Sequence, residues 1–394
     1  MVLPRDPKND SQRSVSLMNS RLLRFFLGLV LVGAFLAVFR RAALAGDPEI
    51  YRSRMATLFD GNIPYVDFFF EHLPLAVLPM ALAWLLGGAF DPVVYVVIFA
   101  VLMAVCLAVT LVLVERSGER LGVGDPGMNW LAIAGALFPI VLFRSDPLPV
   151  VLAAAALYAL IEGKERMAIW MEVTGILTKG WPVALALPEW WRGRRWRAVL
   201  LVVLALALVG ALITLPGFAQ SRQFSGIHSE TMVGGVFTLS RISGGSSLQL
   251  INDAGATYVA VPIWATVLNI TLGLALFVIA LVRLRPGFSW QGSVRLLSAA
   301  VVALLVASPL LSPQFMLWPT PFLALHPNRT VRGLAIAVSA LTLLYMLAWN
   351  PGFEGDLWWV GVVNLRNLVL LALGMTTAWV VAESEPLTRF QLSA

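Results

Sequence analysis

Two carboxylates, Asp47 and Glu49, stand in the short polar segment Gly46-Asp-Pro-Glu-Ile-Tyr51, just after the first long apolar run of the chain. A carboxylate placed where a chain leaves a lipid phase can act as a general base toward a hydroxyl at that surface. Asp47 is the leading candidate and Glu49 its rival; two residues apart, they do not share a helix face. Asp47 also has an ordinary reading, as the N-cap of a helix that starts just after it with Pro48 at the first helical position. On that helix Glu49, Arg52 and Ala56 fall on one face, and Ile50, Met55 and Leu58 suit an interfacial surface. Farther along the loop, Asp67, Glu71 and His72 either orient an acceptor or form an ion-paired scaffold with Arg52 or Arg54. The run Phe68-Phe-Phe70 reads as an anchor at the lipid interface.

The cations of interest lie elsewhere. Lys179 and Arg366 interrupt apolar segments, where an ionisable group must pair, snorkel or face a polar cavity. Each is therefore either a contact to a phosphate or one half of a structural pair. Arg144 and Asp146 flank a tight turn before Pro147, as a salt bridge fixing that turn or as groups that hold a headgroup. His228 and Glu230 could recognise sugar hydroxyls or be plain loop polarity. Ser312 and Gln314 stand at a break made by Pro313, either capping it or touching a cavity. Cys106 is the single cysteine, so the chain can form no intrachain disulfide and no cysteine metal cluster. There is no Asp-x-Asp or histidine cluster, and the segment 241–246 lacks the Lys-Ser/Thr ending of a phosphate loop. Neither a metal nor another cofactor is expected.

The elements that must position these groups are set by composition. Hydrophobic residues make up 59% of 394 and charged residues 13%, with a mean hydropathy of +0.82; such a chain is an integral membrane protein. Uncharged runs at 93–114, 198–221, 257–282, 333–353 and 367–382 approach or exceed the roughly 20 residues that cross a hydrocarbon core. With no alternating barrel pattern, the need to pair every backbone group in lipid makes them helices. The run 25–39, preceded by Arg21 and Arg24, reads as an uncleaved first helix.

The net charge of +6 is spread over short connectors, which is weak evidence for nucleic-acid binding, and no nucleic acid is expected; it sets orientation instead. Residues 115–120, 162–166, 192–197, 283–285 and 328–332 form basic edges assigned to the cytoplasm. Residues 47–72, 144–146, 216–258, 312–314 and 350–356 fall on the opposite side, and both termini are cytoplasmic. One stretch strains this scheme. Two apolar blocks, 73–88 and 93–114, separate the outer loop from the basic edge at Arg116; either the first is a partial or re-entrant element or the charge rule fails locally. Around Lys179, residues 168–187 are too short for two full crossings and read as a broken element lining a cavity. The domain layout is a tail at 1–21, one transmembrane domain at 22–382 with an outer loop at 40–72, and a tail at 383–394.

The pattern Asp47-x-x-x-Tyr51, followed by Asp60-Gly-Asn-Ile-Pro-Tyr-Val-Asp-Phe68 and Glu71-His-Leu-Pro-Leu-Ala76, resembles the first extracytoplasmic loop of the GT-C superfamily of polytopic glycosyltransferases. Within that superfamily the motifs resemble those of the bacterial polyprenyl-phosphate-mannose-dependent mannosyltransferases. Further matches run along the chain: Arg144-Ser-Asp-Pro-Leu-Pro149, Lys179-Gly-Trp-Pro182, Leu311-Ser-Pro-Gln-Phe-Met-Leu-Trp318 and Leu365-Arg-Asn-Leu368. Relatives often carry Glu-Tyr-Pro-Pro where this chain has Glu71-His72-Leu73-Pro74, and an arginine common before the acidic residue of 226–231 is missing. Both departures bear on acceptor identity more than on reaction type.

The resemblance implies an all-α, GT-C-like bundle of roughly 10–12 transmembrane or partly spanning helices in the bacterial cytoplasmic membrane. It implies inverting transfer of a sugar, mannose in the family, from a polyprenyl-phosphate donor to an extracytoplasmic lipid or glycan acceptor. Asp47 matches the catalytic acidic residue; Lys179, Arg144, Arg366 and Asp146 would hold the donor phosphate or headgroup; Tyr51, Asp67, Glu71, His72, His228, Glu230 and Gln314 would support the acceptor or the loop. Departure of a lipid phosphate needs no strong general acid, so one base and a set of cations suffice. A transporter or non-catalytic binder of a lipid-linked saccharide would use the same buried cations.

Overall fold

The computed structural model describes residues 7–39, 46–70, 72–215, 226–245, 249–253, 256–284, 289–348 and 357–381. Its helices are α1 (Pro7–Phe39), α2 (Asp47–Phe59), α3 (Val77–Ala83), α4 (Pro92–Leu121), α5 (Pro126–Ala134), α6 (Phe138–Val141), α7 (Pro147–Ile161) and α8 (Glu165–Thr178). These are followed by α9 (Ala186–Trp191), α10 (Arg195–Ile213), α11 (Met232–Ile242), α12 (Ile263–Arg283), α13 (Trp290–Ala307), α14 (Thr320–Ala324), α15 (Arg329–Ala348) and α16 (Leu357–Val380). Among them α4, α10, α12, α13, α15 and α16 are long and apolar enough to cross a bilayer, and five shorter apolar stretches accompany them. The architecture is an all-α polytopic membrane bundle. A small antiparallel sheet is added, in the order β1 (Ile227–His228), β3 (Ala256–Val259), β2 (Leu250–Asp253).

α4 shows how the sequence writes a lipid-facing helix. Asp91 accepts from the backbone N–H groups of Val93 at 2.7 Å and Val94 at 3.3 Å, and Gly122 closes the far end at φ 69°; these caps satisfy groups the helix ladder cannot. Tyr95, Phe99, Met103 and Leu107, spaced by four, are fully buried. Val93, Val97, Val101, Val105 and Val109, on the opposite stripe, are exposed. A helix apolar on both faces but packed on only one is a membrane helix. α13 is buried along nearly its whole length, and Gly273 of α12 lets the two helices touch: a Cβ there would lie 2.4 Å from the Ala303 carbonyl oxygen.

The charged edges gather at two opposite ends. At one, the basic end, Arg120 pairs with Glu162 at 2.7 Å and Gln291 donates to the Leu121 carbonyl at 2.9 Å. Arg283 and Arg295 donate to the last carbonyls of α16, those of Trp379 and Val380. Of the two options left open for 73–88, the structure takes the partial element. Tyr65 donates to the His72 carbonyl at 2.6 Å where the segment begins. Where it ends, Arg52 of α2 donates to the carbonyls of Gly88 at 2.8 Å and Ala89 at 3.1 Å. Both ends therefore lie at the end opposite the basic edges, and Gly87, at φ 122°, makes the reversal that a side chain would strain. The 73–88 block never reaches the other side, so α4 alone carries the chain to Arg116.

Two broken returns share this logic. After α8, the 3₁₀ turn Trp181–Leu185 and α9 lead back toward the basic end; after α13, the turn Pro313–Leu317 and α14 do the same. Proline inside each turn removes a helix donor and prevents a continuous helix. Lys179 and Asp146 are thereby placed at the tips of α8 and α7.

Candidate functional site

α2 begins one residue earlier than the sequence suggests. Asp47 is its first residue, Gly46 is the N-cap, and no side chain caps it, which corrects the capping reading of Asp47. Its carboxylate instead pairs with Arg144, from the turn before α7, and accepts from the Tyr51 hydroxyl at 3.1 Å. Tyr51, four residues on and hence on the same face, is buried against His72 at 5.2 Å and Phe99 at 5.3 Å. Met55 is fully buried rather than interfacial, and Phe70 and Phe68 pack in the same aromatic cluster. The aromatic run therefore fixes the loop from inside, not as a lipid anchor.

Asp146, two residues beyond Arg144, accepts from Lys179 at 2.7 Å and from the Trp318 indole N–H at 2.6 Å. The Lys179 ammonium also lies over the rings of Phe315 at 4.5 Å and Trp318 at 5.2 Å, a position that ring quadrupoles favour. The arrangement joins α7, α8 and the turn 313–317 through one sealed carboxylate.

The third carboxylate is Glu230. Tyr345 of α15 donates to its Oε2 at 2.5 Å, Arg366 of α16 donates to its backbone carbonyl at 2.6 Å, and Asn367 donates to the carbonyls of Glu230 and Thr231. Arg366 is fully buried with its guanidinium 5.2 Å from the Tyr345 ring. His228 is buried edge-on to Tyr258, and its backbone N–H bonds Pro309 at 3.0 Å, tying the sheet to the turn after α13. Burial lowers the His228 pKa, so it is neutral at neutral pH.

Arg144 connects the three centres. Burial lowers its pKa to about 10, and the charges of Asp146 and Glu230 and the Tyr345 hydroxyl oppose that fall, so it remains cationic at neutral pH. Three carboxylates thus face three cations. The Nε atoms of Arg144 and Arg366, Nη1 of Arg366 and the indole N–H of Trp359 are buried with no hydrogen-bond partner among the described residues. Unused donors of this kind beside reachable carboxylates suit an arriving oxyanion.

Depth follows from helix length. Asp146 precedes the 15 residues of α7, Lys179 follows the 14 of α8, and Arg366 lies fourteen residues before Val380. At 1.5 Å per residue all three stand about 21 Å from the basic end. A hydrocarbon core is about 30 Å thick, so about 21 Å from the basic end falls short of a full crossing.

The remaining expected residues are not in this layer's contacts. Glu49 is exposed on α2. Asp67 is exposed and accepts from the Ile63 N–H at 2.7 Å as a turn holder, and the guanidinium groups of Arg52 and Arg54 lie over the rings of Trp84 and Phe69. Gln314 is half-buried on the turn after α13, and Glu71 lies outside the described residues. Sequence reading passed over Tyr345 and quoted Trp318 and Asn367 only as parts of motifs, with no role of their own. The available signal was a polar atom within an otherwise apolar run, which in a membrane must find a partner. No protein-family model matches the chain, and no curated protein matches it.

Proposed function

We propose that this chain is a GT-C-like polytopic glycosyltransferase that moves a sugar, most simply mannose, from a polyprenyl-phosphate donor to a lipid or glycan acceptor. The sequence resemblance suggests the reaction, and one observation carries the assignment of roles. Asp47, at the start of α2, is joined to Arg144 within a layer that also collects Asp146, Lys179, Glu230 and Arg366. The distribution of Lys and Arg supports a cytoplasmic basic end and an extracytoplasmic site in a bacterial cytoplasmic membrane.

In this reading an acceptor hydroxyl approaches Asp47, which is partly exposed, whereas Asp146 is sealed. Asp47 takes the hydroxyl proton as the oxygen bonds to the anomeric carbon. The bond from that carbon to the phosphate oxygen breaks with its electron pair leaving on the phosphate, and the configuration inverts. The unused N–H groups of Arg144 and Arg366 meet the charge that develops on the leaving phosphate. As phosphate draws Arg144 away, Asp47 is released from its ion pair at the moment a base is needed. Lys179, held by Asp146 and two aromatic rings, positions the turn rather than binding donor.

The test is purified full-length protein in lipid nanodiscs with labelled polyprenyl-phosphate-mannose and a panel of lipid and glycan acceptors. Wild type forms an α-linked product from a β-linked donor. Asp47→Asn retains donor binding and loses turnover by at least about 100-fold, in the range of a positioned base. Undiminished turnover in that variant rejects Asp47. Donor binding without product for any acceptor favours a carrier or non-catalytic binder.

A further inference from the structure

A second charged cluster lies at the basic end and takes no part in the site. Five ionisable groups meet there: Glu165 and Glu172 of α8, Glu189 of α9, Arg194 just before α10, and Arg197 within it. Arg194 is 2.5 Å from Glu165 and 3.4 Å from Glu189. Arg197 is 3.7 Å from each of Glu165, Glu189 and Glu172. Three carboxylates share two arginines.

The shortfall falls on one residue. Glu172 is 0% exposed, and neither of its carboxylate oxygens has a hydrogen-bond partner among the described residues. Burial disfavours its anion and Glu189 adds a like charge, while Arg197, divided among three acids, and Arg194 oppose them. Nearby cations are directed elsewhere: Arg192 stacks on Trp290 at 3.8 Å, Arg195 reaches Trp190, Lys164 reaches Tyr158, and Arg166 is exposed. Arg192 interacts with the charges of Arg194 and Glu189. The other segments packed on α8 are α7 and the turns 74–76 and 181–185, and they carry no ionisable side chain except Tyr158. A buried carboxylate with no hydrogen bond and only a shared cation is disfavoured as an anion relative to the acid.

We propose that Glu172 is a proton-binding site whose ionisation loosens the seam between α8, α9 and α10. Glu172 lies midway along α8 and Lys179 directly follows its last residue, so the seam and the charged layer are joined by one helix. When the proton leaves, the cluster holds a buried negative charge that shares Arg197 with two other acids, and the seam must admit water or part.

Infrared difference spectroscopy of the full chain in nanodiscs, titrated from about pH 5 to about pH 9, tests this directly. Wild type shows a protonated-carboxyl stretch at neutral pH that disappears as pH rises, and its unfolding temperature falls over the same interval. Glu172→Gln lacks that band and loses that fall. Glu189→Gln removes the like charge and frees Arg197, so the band disappears at lower pH. The proposal is overturned if wild type has no titrating carboxyl band, or if Glu172→Gln keeps either the band or the fall. Displacement of the band by sodium or potassium at about 0.1 M, a concentration that mainly screens exposed charges, would assign the missing charge to a metal ion and likewise overturn it. The wild-type titration stands alone should a variant fail to fold.

Discussion

Asp146 illustrates what a single buried charge requires. It is 2% exposed and its strongest partner is Lys179, so Lys179→Met leaves the carboxylate with the Trp318 N–H and the more distant charge of Arg144. Breaking one side of a buried pair costs about 3 kcal/mol or more, and the expected result is a clear fall in unfolding temperature that Asp146→Leu in the same chain largely restores. His228 sets a pH dependence of known sign. Its pKa is lowered by burial, with Arg366 adding to the fall and Glu230 opposing it. The unfolded chain then binds the proton more readily than the folded one. Its contribution is complete above the ordinary histidine pKa of about 6.5 and is lost as pH falls below it. Thermal unfolding between about pH 7 and about pH 5 should show that decline, and His228→Asn should flatten it.

The half-crossing segment 73–88 is decided at the level of elements. Its hydropathy is that of a spanning helix, yet only seven residues form a regular α-helix before a π turn and Gly87 reverse the chain. Arg52 completes the reversal by taking the two carbonyls that the broken helix leaves open. In a Cys106→Ala background, single cysteines at Asn62 and Ala89 should react with an impermeant thiol reagent from the same side of the membrane. A cysteine at Glu162 should react only from the other. Labelling of positions 62 and 89 from opposite sides would restore a full crossing and break the topology.

Across the whole molecule, short helices determine where the charges lie. α7 and α8 are too short to span, and so their tips hold Asp146 and Lys179 below the far surface, where loosely packed lipid cannot solvate them and only the protein can. A nitroxide at residue 312, on the turn beside Trp318, should report a depth about 8 Å below the headgroup boundary on that side. Accessibility equal to that of bulk water would place the layer outside the hydrocarbon. The same recess explains why the cluster is electrically balanced: an unmatched charge at that depth would cost far more than at the surface.

Membrane class, the positions of most helices and the division of charged segments into two sets were all legible in the sequence, because hydropathy and Lys/Arg placement are local properties of a stretch of chain. The broken element at Lys179 was legible for the same reason, since its length could be measured against the bilayer. Pairing was not. Asp47 meets Arg144, Lys179 meets Asp146, and Glu230 meets Tyr345 across long separations in sequence, and no spacing rule links partners on different helices. Asp47 could read as a cap and Lys179 as a phosphate ligand because each type suits both roles. Only the packing of helix against helix, which decides what stands within hydrogen-bond reach of each buried charge, made the first a partner of Arg144 and the second a clamp on Asp146.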